Sequence, residues 1–309
     1  MFSQIKAIRR NPRFALSRIN RISTDINSTL HQKFVPKSGT DMMAADWDNL
    51  LILDACRYDD FVSVSHLPGN TWSRQSLAST SAEWYEENVG DREWFETVCV
   101  TANPHSEPFA DRFHSFKQLY SEKYWDRKLK TVPPSVVAAK TRETMSEYPD
   151  KRLLVHFMQP HLPPIGSMRK ELPISGNPPE GIDHGRSHLG IQTHLRGRVD
   201  GVTEKRVHKA YRENLEIVLA VVTDLIDDLD GKTVITSDHG ELFGERLYPI
   251  PVRGILHKRG IRITPLTTVP WHECPYSSRR KTVSELPDHN VRKVDKETLE
   301  SRLKSLGYR

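Results

Sequence analysis

Four short apolar runs punctuate the chain. Asn49-Leu50-Leu51-Ile52-Leu53 is almost unbroken and ends in Asp54, the pattern of a strand buried on both faces. Thr97-Val98-Cys99-Val100-Thr101, closed by Asn103-Pro104, is a second. Arg152-Leu153-Leu154-Val155-His156-Phe157, closed by Pro160, is a third, and Lys232-Thr233-Val234-Ile235-Thr236 runs into Ser237-Asp238-His239-Gly240 as a fourth. The clearest helix is predicted over about 209–229, where Leu215, Val218, Leu219, Val222 and Ile226 fall on one stripe. Asp230-Gly231 stops it and leads straight into the fourth strand. Such a helix–turn–strand unit predicts an α/β fold with a mainly parallel central sheet flanked by helices. Asp295 can cap a last short helix carrying Leu299, Leu303 and Leu306. Residues 163–203 are polar, with His184, His188 and His194, and too long for a plain connection; a lid or substrate loop, or a partly disordered stretch, is expected there.

Composition changes this picture little. With 309 residues, 37% hydrophobic and 28% charged, the chain can bury a sizeable core and is neither a disulfide scaffold nor disordered throughout. No apolar run reaches the roughly 18 residues that would span a bilayer. Cys56, Cys99 and Cys274 have no metal-type spacing and leave an odd thiol, which suits a reducing compartment. Met1 to Ile22 carries scattered Arg instead of the apolar centre of a secretory signal. A cytoplasmic protein is therefore expected, at the inner membrane surface if the first residues bind there.

A net charge of +5 is too small to diagnose a nucleic-acid binder. No reading motif accompanies the basic residues, so no nucleic-acid partner is expected. The distribution says more. Residues 1–22 hold Lys6, Arg9, Arg10, Arg13, Arg18 and Arg21 and no acid. Phe14, Leu16, Ile19 and Ile22 lie among them, and Pro12 is expected to interrupt any single long helix. Residues 1–30 could lie on an anionic membrane face or dock on a partner. The plainer alternative is a solvated segment folded against the main domain.

The chemistry is positional. Asp54 ends the first strand and Asp238-His239 end the fourth, and open parallel sheets bind ligands at that edge. Two carboxylates and one imidazole make a ligand set for Zn²⁺ or Mn²⁺, more than for Ca²⁺ or Mg²⁺. One Asp after one strand would be read as a helix cap. Two such ends, with His and Gly adjoining, point to a site.

Leu51-Ile52-Leu53-Asp54-Ala55-Cys56-Arg57-Tyr58-Asp59, then Thr236-Ser237-Asp238-His239-Gly240-Glu241, then Gly254-Ile255-Leu256-His257 with Val269-Pro270-Trp271 beyond it, resemble the alkaline phosphatase superfamily over about residues 45–275. The closest likeness is to its sulfatase-like archaeal and bacterial members. The resemblance implies an alkaline-phosphatase-like catalytic domain at 45–275, between a basic arm at 1–40 and a tail with a short helix at 276–309. It implies that Asp54, Asp238 and His239 hold a divalent metal, and that a hydroxyl within Ser76-Leu77-Ala78-Ser79-Thr80-Ser81 is ligand and nucleophile. Ser81 and Thr80 are the two candidates. Either stands just before a helical-looking stretch, 82–88, whose free N–H groups could meet an oxyanion. His161, in His156-Phe157-Met158-Gln159-Pro160-His161, and His257 resemble family histidines that bind a second metal or the oxyanion and leaving group. Arg57 could offer a planar fork to sulfate or phosphate, or serve as a surface ion-pair residue. Asp183-His184-Gly185 repeats the tripeptide with no strand before it and is set aside.

Two departures narrow the expectation. No cysteine lies in a Cys-x-Pro-Ser-Arg setting, so formylglycine sulfate hydrolysis is not expected. No Asp-x-x-x-His pair precedes the last block, so one metal is expected and a complete second site is not. What remains is a metal-dependent sulfatase-like enzyme that transfers or hydrolyses a sulfate or phosphate ester through a covalent Ser/Thr intermediate. By resemblance its substrate is a glycan, free or lipid-linked, in surface-glycan or N-glycan biosynthesis, with sulfotransfer among the options. The alternatives are a phosphomonoester or phosphodiester hydrolase, and a family member that binds an anionic glycan without turning it over.

Overall fold

The computed structural model describes residues 12–172, 202–287 and 295–306. Its strands are β1 (Asn49–Leu53), β2 (Asn70–Gln75), β3 (Trp94–Thr101), β4 (Phe113–Gln118), β5 (Arg152–Phe157), β6 (Thr233–Thr236), β7 (Phe243–Arg246), β8 (Arg253–Ile255) and β9 (Thr268–Glu273). Seven of them form one sheet in the order β2-β9-β6-β1-β5-β3-β4, and β7 with β8 forms a separate hairpin. The α-helices are α1 (Pro12–Phe34), α2 (Tyr58–Val64), α3 (Ser81–Trp84), α4 (Pro134–Glu147), α5 (Glu204–Ile226), α6 (Thr264–Thr267) and α7 (Lys296–Leu306).

β1 lies at the centre because every one of its residues is buried. Leu51 sits beside Val155 of β5 and Ile235 of β6, both in parallel register. In this sheet β9 alone runs against its neighbours. The pleat of β1 sends Leu51 and Leu53 into one layer with Val137 and Ala138 of α4 and Leu215, Val218 and Val222 of α5. Leu50 and Ile52 enter the opposite layer, which is rich in rings: Trp47, Trp84, Tyr85, Phe113 and Trp271. The expected mainly parallel sheet flanked by helices is what the chain forms.

Element limits follow local chemistry. α5 begins earlier than the apolar stripe suggests because Thr203 caps it, its Oγ1 accepting from Arg206 N at 3.3 Å. The stripe is buried as expected, with Ile226 at its edge. After the helix, Gly231 adopts φ +86°, and a Cβ there would stand 2.6 Å from Asp48 Oδ2. Asp295 Oδ1 accepts from Thr298 N at 2.8 Å and starts α7, as the sequence predicts. The described part of α1 begins at Pro12; the expected interruption of a longer helix at this proline involves residues 1–11, which lie outside the described residues. Cys56, Cys99 and Cys274 are buried and unpaired. Most of the expected lid, including His184, His188 and His194 and the Asp183-His184-Gly185 repeat, lies outside the described residues.

Candidate active site

The parallel strands deliver their carboxyl ends to one edge of the sheet. Asp54 follows β1, Asn103 follows β3, His161 follows β5, and Asp238 with His239 follows β6. Two strand ends are stitched together there. Ala55 N donates to Asp238 Oδ1 at 2.9 Å, while Ser237 Oγ donates to Leu53 O and accepts from Cys56 N, each at 2.7 Å. Ala55 takes φ +60° to present its N–H, a left-handed conformation that costs a non-glycine residue about 1 kcal/mol or more. Gly240 must be glycine for another reason: a Cβ would stand 2.0 Å from Pro265 O.

Asp54, Asp238 and His239 each offer a ligand atom, all within 4.8 Å of one another and all fully buried. His239 Nδ1 lies 2.7 Å from Gly240 O and donates to it, which leaves the Nε2 lone pair facing Asp238 Oδ2 at 3.4 Å. A histidine held by a backbone carbonyl through its far nitrogen is the usual arrangement of a metal ligand. Burial alone would raise the Asp54 carboxyl. The imidazoles of His156, His161 and His239 outweigh it and hold Asp54 well below the ordinary carboxylate range. Two buried atoms at this point have no hydrogen-bond partner, Asp238 Oδ2 and His156 Nε2, which stand 3.8 Å apart. Buried polar atoms are rarely left so, and a cation among the carboxylates would satisfy the first of them. The donor set of two carboxylates, an imidazole and a nearby hydroxyl fits Zn²⁺ or Mn²⁺.

That hydroxyl belongs to Ser81. Its Oγ lies 3.2 Å from Asp54 Oδ2 and 3.5 Å from His239 Nε2. Thr80 sits one residue away with a different task, its Oγ1 accepting from Glu83 N at 3.3 Å to cap α3. The geometry thus separates two hydroxyls that the sequence left equivalent. His161 and His257 also join the group. Together with Glu241 they form a second set of potential ligands within 4.8 Å of one another, and the His239 and His257 rings lie 4.5 Å apart. Glu241, His161 and His257 thus make a second triad although no Asp-x-x-x-His motif accompanies it. Burial pushes the Glu241 carboxyl up to about 7 and lowers His161 and His257, which therefore sit mainly neutral near pH 7.

Arg57 is not brought into this group. Its guanidinium is held by Asp59, at 2.9 Å from Nε, and by the Glu245 carboxylate, with Glu241 O at 3.2 Å from one terminal nitrogen. Those partners leave the fork expected for an oxyanion committed to carboxylates.

Three neighbours escaped the sequence reading. Asn103 Nδ2 donates to Asp54 Oδ2 at 2.6 Å, and its place at a strand end was the available signal. His156 stacks on Tyr85, whose hydroxyl lies 2.9 Å from its Nδ1, and turns Nε2 to within 3.5 Å of Asp54. It was hidden inside an apolar strand run. Glu241 stood in the quoted block itself, directly after Gly240.

No family model matches the chain, and no curated protein matches it by sequence. Among solved structures it is similar to the soluble domain of lipooligosaccharide phosphoethanolamine transferase A from Neisseria meningitidis, with 14% identity over 72% of this chain and 75% of that one (TM-score 0.45). It is similar to the C-terminal periplasmic domain of EcEptC from Escherichia coli in complex with Zn, with 12% identity over 79% of this chain and 77% of that one (TM-score 0.43). A third is a putative sulfatase from Bacteroides thetaiotaomicron, with 11% identity over 78% of this chain and 66% of that one (TM-score 0.43). Phosphoethanolamine transferases and sulfatases are alkaline phosphatase superfamily members, the superfamily that the sequence resembles. The cytoplasmic location expected from the cysteines and the opening residues does not stand beside these matches, of which the Escherichia coli one is a periplasmic domain. Among the described residues no helix is long and apolar enough to cross a membrane.

Proposed function

We propose that this chain is a metal-dependent enzyme that transfers or hydrolyses a phosphate or sulfate ester, with Ser81 as its nucleophile. The observation that carries the reading is the position of the Ser81 hydroxyl, 3.2 Å from Asp54 and 3.5 Å from His239 inside a fully buried set of metal-type donors. Asp54, Asp238 and His239 would hold a divalent cation, which when bound supplies Lewis-acid charge and favours the ionised serine. Asn103 and His156 keep Asp54 ionised and oriented. Ser81 Oγ forms a bond to the phosphorus or sulfur as the bond to the departing oxygen breaks; the serine proton passes to water, and the departing oxygen takes up a proton from water to leave as the alcohol. Water, or the hydroxyl of an acceptor, then attacks the Ser81 ester and frees the serine. His161, whose Nδ1 donates to Leu162 O, keeps an unprotonated Nε2 beside the His257 ring, a lone pair suited to a cation that would in turn hold the ester oxygens. His257, with Glu241 3.2 Å from its Nδ1, belongs to the second triad, where a second cation would bind. The substrate class proposed is a glycan ester, free or lipid-linked.

The test is to trap the serine ester. Metal-loaded full chain is incubated with an aryl phosphate and separately with an aryl sulfate, quenched in acid and mapped by peptide mass. A phosphate or sulfate adduct on Ser81 is expected. Turnover with the adduct on another residue, or with none while Ser81→Ala retains full activity, removes this mechanism.

A further inference from the structure

α1 is mounted by its polar side. Among its described side chains the buried ones are Ser23, Thr24, Asn27, Ser28 and His31, and the last three fasten it to the segment 248–262. Asn27 Nδ2 donates to Ile250 O at 2.8 Å while Ile250 N donates back to Asn27 Oδ1 at 2.9 Å. Ser28 Oγ donates to Arg259 O at 2.6 Å, and His31 bridges Tyr248 O at 2.6 Å and Arg262 N at 2.9 Å. A helix on a globular body normally turns its apolar stripe inward. Here the stripe is left outside: Ile19 is 59% exposed, Ile22 48%, Ile26 43% and Phe34 68%. These positions repeat at i, i+3, i+7 and i+15 and share one face.

The charges around that face indicate what covers it. Arg18, Arg21 and Lys33 are exposed on the same helix. Its single acid, Asp25, is neutralised by Lys258 at 2.9 Å. Arg13 lies near the start of the same helix, and the sequence before it adds Lys6, Arg9 and Arg10 with no acid. A second copy of the chain packed on this face about a two-fold axis would set these arginines against their own images. An apolar stripe accompanied by exposed basic residues is instead complementary to an anionic lipid surface. We propose that α1 seats the protein on an anionic bilayer, with the three isoleucines and Phe34 at the headgroup–acyl boundary and the basic residues against the headgroups. The segment it clamps also carries His257, so a seated helix brings the rim of the candidate site beside the lipid. The inference stands on the helix alone and does not depend on the reaction proposed for Ser81.

The test is flotation of the full chain with vesicles of phosphatidylcholine, with and without an equal part of phosphatidylglycerol. Wild type is expected to float with the anionic vesicles only, and less as salt rises. Ile22→Asp with Ile26→Asp, and separately Arg18→Glu with Arg21→Glu, should each weaken binding about tenfold or more, at an unchanged urea midpoint. Should the aspartate pair shift that midpoint, Ile22→Gln with Ile26→Gln takes its place. Failure of wild type to float with anionic vesicles overturns the proposal, and so does wild-type flotation by both pairs of variants. A dimer in light scattering that the isoleucine substitutions dissociate, with flotation untouched, overturns it in favour of a second copy.

Discussion

Ser81→Ala and Thr80→Ala form the pair of perturbations that tests the site most sharply, because the two residues adjoin and only one reaches the donor ring. Removing the Ser81 hydroxyl deletes a contact of 3.2 Å to Asp54 Oδ2. That oxygen keeps Asn103 Nδ2 at 2.6 Å, so it is not left unsatisfied, and the stability cost should be about 1 kcal/mol. Thr80→Ala loses the cap on Glu83 N, again about 1 kcal/mol. In a chain of 309 residues either change lowers Tm by only about 1–2 °C. Activity should separate them widely. Losing the proposed nucleophile removes the covalent route, a fall of about 10³-fold or more in kcat/KM, equivalent to about 4 kcal/mol of transition-state stabilisation. Thr80→Ala should stay within a few-fold of wild type. Initial rates on aryl phosphate and aryl sulfate with added Zn²⁺ or Mn²⁺, beside thermal melts, supply both numbers. Retained activity in Ser81→Ala with loss in Thr80→Ala would refute the assignment.

Two further outcomes follow from named contacts. Asn103→Ala removes the hydrogen bond to Asp54 and the Oδ1 cap on His105 N; it should cost about 2–4 kcal/mol and weaken metal binding about 10- to 100-fold, and unchanged urea midpoint and metal affinity would contradict it. Asp48 tests the opposite end of the sheet: its carboxylate accepts from Lys232 N and Arg279 Nε, each at 2.7 Å, and from Arg280 N at 3.2 Å. Burial opposes its charge, but Arg279 and these N–H groups prevail and hold its carboxyl below the ordinary 3.8. A carboxylate lowered by folding contributes stability above its unfolded value and loses it as pH falls through the folded one. Asp48→Asn should therefore cost about 1–3 kcal/mol at pH 7, a gap that narrows below about pH 4 in urea titrations; a gap constant with pH would contradict the ion-pair account.

What the sequence made legible, and what it hid, follows from burial. β1 and β5 were readable to the residue because burial on both faces leaves a continuous apolar run. β2, Asn-Thr-Trp-Ser-Arg-Gln, is largely exposed and held by pairing with β9, so no local pattern announces it. The buried side of α1 was not legible because its apolar residues do not mark it; backbone acceptors on a distant segment do. At the site, position at strand ends singled out Asp54, Asp238 and His239, which the fold brings together, and the same rule applied to Asn103 would have singled it out too. Arg57 also stands near a strand end, yet Asp59 and Glu245 draw it away, and the second of those comes from a distant part of the chain. Choosing between Thr80 and Ser81 needed the turn of α3, since only the fold shows which hydroxyl caps and which faces the carboxylates.

Metal titration of the demetallated full chain addresses the shared cation directly. Zn²⁺ binding should raise the wild-type Tm, with about 2.7 kcal/mol of stabilisation once free metal is a hundred times Kd, and Asp238→Asn should abolish the high-affinity step while His257→Ala keeps it. Wild-type stoichiometry and melting shift in Asp238→Asn, or a wild type that takes up no divalent ion, would mean that Asp54, Asp238 and His239 do not hold a metal together.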